Sequence, residues 1–311
     1  MEPWVVGIDL GATKIRLGLV SPQDAVTDVR QIPTHAHLGP ASVVERMTAA
    51  VDELAACLPA GQQLAGAGIC SPGPVDHTTG MLLDPPNLQG LHHTPLRDLL
   101  AVRLGLPVVI EHDAKAAALG DYHFGAGKGS QDMVFVVVGT GVGAALIIAG
   151  QLFRGAHNSA GEIGHTTLDR EGELCSCGSR GCVETNLSGP WLARRYQRLC
   201  AAAGTPEVTV SGGMVTQLAS AGDPLAVRVL ENAGNALGAA VTTMAMMIDV
   251  DLYVIGGSVA KAGDLLLRPA REAMPRYSFT SVSSRVRIVP TALYDDGPIL
   301  GCAWLARHAT A

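Results

Sequence analysis

The sequence predicts an α/β protein built around a duplicated core. Two pairs of short apolar strands carry this prediction, GIDLGATKIRLGLV from Gly7 and VVGTGVGAALIIAG from Val137, and a glycine-rich turn joins each pair. The two turns align at a constant offset of 130 residues, which pairs Asp9 with Gly139, Gly11 with Gly141 and Thr13 with Gly143. Helical segments follow each pair. We therefore expect two α/β halves, each opening with a hairpin, and a cleft between them.

The composition limits the class of protein. The chain has 311 residues, of which 48% are hydrophobic and 16% are charged, so it can bury a substantial core. A net charge of −6 disfavours a nucleic-acid partner. No signal peptide is visible, and the longest uncharged run, residues 232–248, is short and polar for a membrane span. The expected location is the cytoplasm, with neither a membrane nor a nucleic acid as partner.

The first half of the chain alternates strands with helices. Strands are predicted where β-branched and apolar residues run together or alternate, and helices where apolar residues recur every three or four positions. The predicted elements are the strands Val5–Leu10, Ile15–Val20, Leu64–Cys70 and Pro107–Ile110 and the helices Pro40–Leu58 and Ala114–Tyr122.

The second half repeats this pattern around a cysteine-rich insertion. The predicted elements are the strands Met133–Val138, Ala144–Ile148, Leu252–Ile255 and Val286–Val289 and the helices Pro190–Ala203, Pro224–Ile248 and Pro298–Ala309. We expect a small α/β domain at residues 1–119, against which a C-terminal helix, residues 298–311, packs back. A large α/β domain at residues 120–297 would contain the insertion, residues 155–187.

Both hairpin turns are candidates for phosphate binding. Glycine lets the backbone approach a ligand closely, and successive N–H groups in a tight turn can bind an anion. Thr13 adds a hydroxyl, Lys14 a cation, and Asp9 a carboxylate that could contact Mg²⁺ through water. Either turn alone could equally be an ordinary β-turn, but the matched pair favours phosphate binding. The candidate positions are Asp9, Gly11, Ala12, Thr13, Lys14, Gly139, Thr140, Gly141 and Gly143.

Asp113 lies where a buried strand gives way to an alanine-rich helix. The carboxyl ends of strands in an α/β sheet are where ligands bind, and a carboxylate there can accept a proton from a substrate hydroxyl as a general base. Aspartate is also a favoured N-cap, and the spacing alone favours that structural role. Both interpretations stay open at this point.

The insertion carries a candidate metal site. His165, Cys175, Cys177 and Cys182 follow the spacing H-x9-C-x-C-x4-C, and glycines between the thiols allow a tight loop. One imidazole and three thiolates are a typical tetrahedral zinc set, and four protein ligands make such a site structural rather than catalytic. A redox-active or merely structural thiol cluster is the alternative, which the histidine and a cytoplasmic setting disfavour.

Polar residues near this insertion could bind a polyol. Glu162 and Glu184 flank the cysteine-rich segment, and Asn87 lies in a proline-rich loop of the other half. Read singly, the glutamates suit the surface and the asparagine suits a turn. Held by a rigid metal loop, the two carboxylates become candidates for hydrogen bonds to a sugar.

These motifs together resemble the ROK family of bacterial sugar kinases and repressors, part of the actin/hexokinase/Hsp70-like ATPase group. The resemblance covers nearly the whole chain. It rests on GIDLGATK from Gly7, GICSPGPVD from Gly68, PPNLQG from Pro85, EHDAKAAALGD from Glu111, GTGVGAALI from Gly139, and the segment from GEIGH at Gly161 through GCVE ending at Glu184. It implies a two-domain actin-like ATPase (ribonuclease H-like) fold with an interdomain cleft.

The resemblance also implies residue roles. Asp113 would be the catalytic base, and ATP would bind the two turns, with Gly256 and Gly257 closing on its adenosine. The residues that would line the sugar site are Asn87, Glu162, His165 and Glu184, with His165 also binding zinc.

Two positions depart from the family pattern. Ala12 replaces a second glycine, and nucleotide binding should survive there if its backbone φ is negative. His112 stands where many sugar kinases of the family have an asparagine that contacts the sugar. His112 is therefore a further candidate for the sugar site, and it leaves the identity of the sugar open.

The expected function is transfer of the γ-phosphate of ATP, with Mg²⁺, to the O6 hydroxyl of a hexose, glucose first. A kinase for N-acetylmannosamine, N-acetylglucosamine or fructose is the alternative within the same class. A sugar-responsive transcriptional regulator is disfavoured, because no helix-turn-helix fits ahead of the strand at Val5. Zinc would be structural. The resemblance favours a homodimer or homotetramer.

Overall fold

A computed structural model of the chain describes residues 2–205 and 209–308. The chain divides into two compact units, one formed by Met1–Gly129 with Leu293–Ala311 and the other by Ser130–Ala292. Position 309, the predicted end of the last helix, and the two residues after it lie outside the described residues.

The regular elements are numbered in chain order. The strands are β1 (Trp4–Leu10), β2 (Lys14–Val20), β3 (Val26–Pro33), β4 (Leu64–Ser71), β5 (Val75–Asp76), β6 (Met81–Leu82), β7 (Val108–His112), β8 (Met133–Val138), β9 (Val142–Ile148), β10 (Gln151–Phe153), β11 (Leu252–Gly256) and β12 (Arg287–Pro290). The helices are α1 (Gly39–Ala55), α2 (Leu96–Leu104), α3 (Asp113–Phe124), α4 (Glu184–Leu187), α5 (Gly189–Ala202), α6 (Gly212–Ser220), α7 (Pro224–Ile248), α8 (Asp264–Ala273), α9 (Thr280–Ser283) and α10 (Gly297–His308).

The first unit is built on a sheet with the strand order β3-β2-β1-β4-β7. β1 pairs antiparallel with β2 and parallel with β4, and β4 pairs parallel with β7. The register sets Asp9 opposite Cys70, and Ser71 opposite His112. Because parallel strands end at the same edge, the polar residues at their carboxyl ends are gathered there.

Apolar residues of β1 alternate between two packed faces of this sheet. Val6 and Ile8 belong to the core that α1 and α2 cover, whereas Val5 belongs to a separate cluster with Ile299 and Leu300 of α10. Helix α10 also packs along α3. The C-terminal segment therefore completes the first unit although it is distant in sequence.

Glycines let α10 approach its neighbours at backbone distance. A Cβ on Gly301 would lie 1.8 Å from the Ala116 carbonyl oxygen, and one on Gly68 of β4 would lie 2.0 Å from the Cys302 carbonyl oxygen. No side chain fits in either place, so α10 makes direct backbone contact both with α3 and with the sheet.

The second unit repeats the topology of the first. Its sheet has the order β10-β9-β8-β11-β12, with β8 antiparallel to β9 and parallel to β11, and β11 parallel to β12. The predicted duplication of an α/β core is confirmed. Helix α7 is buried along most of its length and packs on α5, α6 and α8.

The predicted elements differ from the observed ones mainly at their ends. β8 and α7 have the predicted bounds, whereas β3, β10, α2 and α6 are additional elements. In strand β3 half-buried residues alternate with exposed ones. The strand therefore lacks the apolar run that predicts the other strands. The expected domain boundary after residue 119 differs from the observed division, because α3 continues unbroken to Phe124.

Among the described residues, no helix is both long enough and apolar enough to cross a bilayer.

The tight contact at Gly301 generates a stability prediction. Gly301→Ala should lower the thermal midpoint by about 2–8 °C. A Cβ 1.8 Å from a carbonyl oxygen puts the cost of overpacking in the upper part of its range, about 2–3 kcal/mol, against a gain of about 1 kcal/mol from the better helix propensity of alanine. The net loss of about 1–2 kcal/mol corresponds to about 2–4 °C per kcal/mol. Gly213→Ala in α6 is the control, since its Cβ would lie 3.9 Å from the nearest atom. Equal midpoints for the two variants in a calorimetric scan would contradict the packing argument.

Candidate functional site

The first glycine turn is held by a threonine that sequence analysis did not single out. The Gly11 N–H donates to the Lys14 carbonyl (3.0 Å) and closes the turn between β1 and β2. Thr34, which is fully buried, donates from its hydroxyl to the Gly11 carbonyl (2.6 Å) and from its N–H to the Thr13 carbonyl (2.9 Å). Ala12 is not among the positive-φ residues of the described chain, so alanine suits this turn.

Asp9 lies at the carboxyl end of β1 in an electrostatically unfavourable place. Burial, and secondarily the negative charge of Asp113, raise the pKa of Asp9 to about 6. The Cys70 thiol donates to Asp9 Oδ1 at 3.6 Å. Two carboxylates close together favour a cation between or beside them, so this donor set fits a divalent ion such as Mg²⁺.

Asp113 and His112 lie at the junction of β7 and α3. The structure places His112 at the N-cap position and Asp113 as the first residue of the helix. Asp113 Oδ1 accepts from the Ala114 N–H (2.6 Å), and His112 Nδ1 lies 3.1 Å from the same oxygen. The Asp113 side chain remains 41% exposed, so its carboxylate can both bind the helix terminus and reach a substrate.

Asn87 shares a cavity of about 530 Å³ with the first turn. The loop containing Asn87 packs on residues 36–37, where a Cβ on Gly90 would lie 2.5 Å from the Ala36 carbonyl oxygen. The cavity is lined by Ala12, Thr13, His35, Ala36, His37, Pro86, Asn87 and Gln89. Sequence analysis found Ala12, Thr13 and Asn87 but missed the two histidines, because their approach to the turn depends on the Thr34 hydrogen bonds.

The second glycine turn is bound by a carboxylate from outside the hairpin. Glu184 Oε2 accepts from the Val142 N–H at 3.0 Å, and a Cβ on Gly141 would lie 2.9 Å from the same oxygen. The Gly139 carbonyl accepts from the Gly189 N–H at 2.8 Å. Glu184, which the sequence predicts as a sugar ligand, thus stabilises the glycine turn that the sequence predicts as a phosphate site.

A cavity of about 470 Å³ adjoins this second turn. Gly257 has φ +90, and a Cβ there would lie 2.4 Å from the Val138 carbonyl oxygen, which brings Ser258 beside the turn. The lining residues are Gly139, Thr140, Gly189, Pro190, Ala193, Arg194, Gln197, Val210, Ser211, Gly212, Gly213, Ser258 and Val259. The volume lies within the range of nucleotide and cofactor sites.

One wall of this cavity was absent from the sequence analysis. Ser211 caps α6, its hydroxyl accepting from the Met214 N–H (3.3 Å), and the Arg194 guanidinium lies 4.6 Å from the centre of the Trp191 ring. A helix N-terminus and an oriented guanidinium both favour a negatively charged ligand. The serine cap before Gly212 was the sequence signal that could have found α6.

The predicted metal ligands are brought together in the second unit. The ligand atoms of His165, Cys175, Cys177 and Cys182 all lie within 4.8 Å of one another. His165 Nδ1 is 3.7 Å from Cys175 Sγ, and Cys177 Sγ is 3.7 Å from Cys182 Sγ. Zinc–sulfur bonds of about 2.3 Å imply a tetrahedral edge of about 3.8 Å, so the cluster fits a tetrahedral ion.

The thiol loop is shaped by its own backbone. The Cys175 N–H donates to the Ser179 carbonyl (2.8 Å) and the Gly178 N–H to the Cys175 carbonyl (3.0 Å). Gly181 has φ +64, and a Cβ there would lie 1.5 Å from the Asp169 carbonyl oxygen. A hydrogen bond from the backbone at Ser179 is the largest cause that lowers the pKa of Cys177 to about 6, which favours the thiolate.

The segment before the thiol loop lies on β9. Cβ atoms on Gly161 and Gly164 would each lie 2.0 Å from a β9 carbonyl oxygen, those of Ala144 and Val142 respectively. Glu162 is exposed and precedes a short 3₁₀ helix, Ile163–His165. Glu162, His165 and Glu184 are therefore all anchored to the second hairpin.

The predicted site residues are distributed over the two units. The first unit holds Asp9, Gly11, Ala12, Thr13, Lys14, Asn87, His112 and Asp113. The second holds Gly139, Thr140, Gly141, Gly143, Glu162, His165, Cys175, Cys177, Cys182, Glu184, Gly256 and Gly257.

Comparison with known proteins matches residues 5–309 to the model of the ROK family. The glucokinase of Halalkalibacterium halodurans is 32% identical over 322 residues, which cover 99% of this chain and 96% of that protein. The N-acetylmannosamine kinase of Citrobacter koseri is also 32% identical, covering 97% and 98%. A solved ROK family glucokinase from Streptomyces griseus, in complex with glucose and AMPPNP, has a TM-score of 0.85 at 31% identity, covering 98% and 99%.

The raised pKa of Asp9 predicts a pH-dependent stability in the absence of ligands. Its folded pKa of about 6 exceeds the ordinary 3.8, so its contribution to stability is greatest at low pH and is lost as pH rises through 6. Asp9→Asn does not titrate. The free energy of unfolding of this variant, relative to wild type, should rise by up to about 3 kcal/mol between pH 4 and pH 7.

Urea unfolding at several pH values, without nucleotide or divalent cation, measures this difference. Asp52→Asn, which removes an exposed carboxylate on α1, provides the background to subtract. A difference between Asp9→Asn and wild type that does not change with pH would show that Asp9 is not buried as a carboxylate.

Proposed function

We propose that this chain, which belongs to the ROK family, is an ATP-dependent hexose kinase that phosphorylates the O6 hydroxyl of glucose. The structural similarity to the Streptomyces griseus enzyme and the duplicated sheets confirm the actin-like ATPase fold. The observation that carries the proposal is the position of Asp113. It lies at the carboxyl edge of the first sheet, beside Asp9 and in the same unit as the first glycine turn.

Asp113 is assigned as the general base. Its carboxylate would accept the proton of the sugar hydroxyl while the hydroxyl oxygen attacks the γ-phosphorus. Asp113 begins helix α3, where the helix dipole stabilises its charged form. Its partial exposure leaves room for a hydroxyl to approach.

The two glycine turns are assigned to the phosphates of ATP. Their N–H groups, with the Thr13 hydroxyl and Lys14, would neutralise the charge that spreads over the phosphoryl oxygens. The cavity beside Gly257 and Ser258 supports a place for adenosine, since its walls are partly apolar and its volume is about 470 Å³. Mg²⁺ held near Asp9 would supply further positive charge at the phosphates.

Candidate sugar-binding residues lie in each unit. They are Asn87 and Asp113 in the first, and Glu162, His165 and Glu184 in the second. Support for the second group is its contact with β9: Gly161 and Gly164 hold the backbone beside Glu162 and His165 against that strand, and Glu184 Oε2 accepts from the Val142 N–H. His165 turns Nδ1 toward the thiols, which leaves Nε2 as the nitrogen for a sugar hydroxyl.

Zinc is assigned a structural role. With His165, Cys175, Cys177 and Cys182 as ligands the coordination sphere is full, so no position remains for substrate. The ion would tie the loop after Gly164 to the segment that leads into Glu184. Its contribution is to order the sugar-binding residues.

N-acetylmannosamine is the second candidate substrate. The relative from Citrobacter koseri is as similar in identity as the glucokinase, and the cavity of about 530 Å³ beside Asn87 could accommodate an acyl group. Glucose is favoured because the compared structure, with a TM-score of 0.85 at 31% identity, is a glucokinase in complex with glucose.

We also propose a homodimer or homotetramer that works in the cytoplasm without a nucleic-acid partner. Exposed apolar side chains support self-association, among them Met247 (78% exposed) and Phe279 (75% exposed). The net charge of −6 supports the absence of a nucleic-acid partner.

A substrate panel tests the proposed function. Release of ADP is coupled to NADH oxidation with glucose, fructose, mannose, N-acetylglucosamine and N-acetylmannosamine. We expect the highest kcat/KM with glucose and no turnover when Mg²⁺ is chelated. A preference for an N-acetylated sugar would show that this sugar, and not glucose, is the substrate. If no sugar is phosphorylated, the proposed kinase function is wrong.

Asp113→Asn tests the assigned base in the same assay. The amide cannot accept the proton, so kcat should fall by at least about 10²–10⁴-fold. Glucose affinity, measured by calorimetry, should stay within a few-fold because the amide can still bind the hydroxyl. Retention of turnover would exclude Asp113 as the base.

Zinc is tested with a pair of cysteine variants. The purified wild type should contain one zinc per chain by metal analysis. Cys177→Ser should lose the metal and raise the KM for glucose more than the KM for ATP, because the loop carries sugar ligands. Cys57→Ser, at another exposed cysteine, should keep both properties. A stoichiometric zinc content in Cys177→Ser would contradict the ligand set.

A further inference from the structure

We propose that His112 is a positioning residue for Asp113, with its Nδ1–H donating to Asp113 Oδ1, rather than a ligand of the sugar. The inference rests on the proposed kinase function for its catalytic consequence. The hydrogen bond itself is a property of the folded chain. It follows from the contacts that surround the two edges of the imidazole ring.

The Nδ1 edge of His112 faces the helix terminus. The Ala114 N–H has two acceptors in reach, Asp113 Oδ1 at 2.6 Å and His112 Nδ1 at 3.3 Å. The carboxylate oxygen is both nearer and charged, so it takes this single hydrogen. Nδ1 is therefore left with Asp113 Oδ1 as its partner, at 3.1 Å.

The protonation of Nδ1 follows from that contact. A bare nitrogen lone pair 3.1 Å from a carboxylate oxygen is repulsive, whereas an N–H in the same place makes a charge-assisted hydrogen bond. The tautomer with hydrogen on Nδ1 is therefore favoured, and His112 donates to Asp113.

The opposite edge of the ring lies against a glycine. A Cβ on Gly73 would lie 2.6 Å from His112 Cδ2 and 2.9 Å from Nε2. The loop that follows β4 thus confines the ring on that side, and the His112 side chain is only 28% exposed. Nε2, the nitrogen that could bind a sugar, thus lies beside Gly73 of this loop.

The charges around Asp113 explain why a donor is needed there. Burial, and secondarily the charge of the nearby Asp113, raise the pKa of Asp9. Glu111 accepts from the His112 N–H at 2.9 Å. The Cys70 thiol is already engaged by Asp9. Two hydrogens on Oδ1, from Ala114 and His112, would orient the carboxylate that is assigned as the base.

In the proposed step the O6–H proton passes to the Asp113 carboxylate, the O6–P bond forms, and the bond between the γ-phosphorus and the β–γ bridging oxygen breaks to release ADP. His112 neither gains nor loses a proton. Its hydrogen bond orients the carboxylate and offsets the effect of the nearby Asp9, whose charge would otherwise make Asp113 more basic.

Two substitutions at His112 separate positioning from sugar binding. His112→Ala should lower kcat for glucose about 10- to 100-fold with the KM for glucose changed by less than about threefold. The acid limb of the pH profile of kcat/KM should move to higher pH, because Asp113 loses a donor. His112→Asn should restore most of kcat, since the amide nitrogen can occupy the place of Nδ1. His92→Ala, at a surface histidine, is the control.

Gly73 provides an independent test through a double-mutant cycle. Gly73→Ala should displace the ring and reproduce part of the loss of kcat. In the His112→Ala background the same change should have little further effect, because no ring remains to displace. Additive losses would overturn the inference. So would a tenfold or greater rise in the KM for glucose with kcat retained in His112→Ala.

A spectroscopic measurement distinguishes failure of this inference from failure of the kinase proposal. Long-range ¹H–¹⁵N correlation on histidine-labelled protein, assigned with His112→Asn, reports which ring nitrogen carries hydrogen. We expect a proton on Nδ1 of His112. A spectrum of the Nε2–H tautomer would overturn the inference even if the enzyme is active. The measurement needs no sugar turnover, so it tests the hydrogen bond even if the kinase proposal is wrong.

Discussion

Asp9 and Asp113 bring two carboxylates to the carboxyl edge of one sheet, and the need to offset their charge governs the chemistry around them. The parallel pairing of β1 with β4 and of β4 with β7 sets where the strands end, and so where these two residues lie. Burial, and secondarily the charge of Asp113, raise the pKa of Asp9. The Cys70 thiol donates to Asp9, and the Ala114 N–H donates to Asp113. A site that already demands positive charge suits phosphoryl transfer, in which metal ions and N–H groups stabilise the transferred group.

The second unit shows how a duplicated fold diverges in chemistry. Gly139 stands at the position that Asp9 occupies in the first hairpin, so the second turn has no carboxylate of its own at that point. Glu184 reaches it from outside and accepts the Val142 N–H. This contact joins the glycine turn to the segment that follows the thiol loop. One half thus offers a pair of carboxylates, and the other offers a turn contacted by a glutamate and a cluster of one histidine and three cysteines.

Sequence reasoning succeeded where a pattern is local. The bounds of β8 and α7 follow from an uninterrupted apolar run and a long helical period, and the grouping of His165 with three cysteines follows from their spacing. It failed where the signal depends on a neighbour. β3 has no apolar run because one side of the strand is exposed. His35 and His37 line a cavity only because Thr34 binds the first turn. The resemblance predicts His112 as a sugar contact, but it does not indicate that the edges of the ring lie beside Asp113 and Gly73.

The sequence by itself determined the α/β class, the duplication of the hairpin, the candidate cluster of one histidine and three cysteines, and the family, because each depends on residue type and spacing along the chain. The tertiary structure alone decided which groups meet. It placed α10 against β1 and β4, brought Asp9 near Asp113, attached Glu184 to Val142, and built the wall of Arg194 and Ser211 beside Ser258. The physical reason is that hydrogen bonds and charges act over a few ångströms in space, and residues far apart in the chain reach that range only when strand order and glycine contacts bring their backbones together.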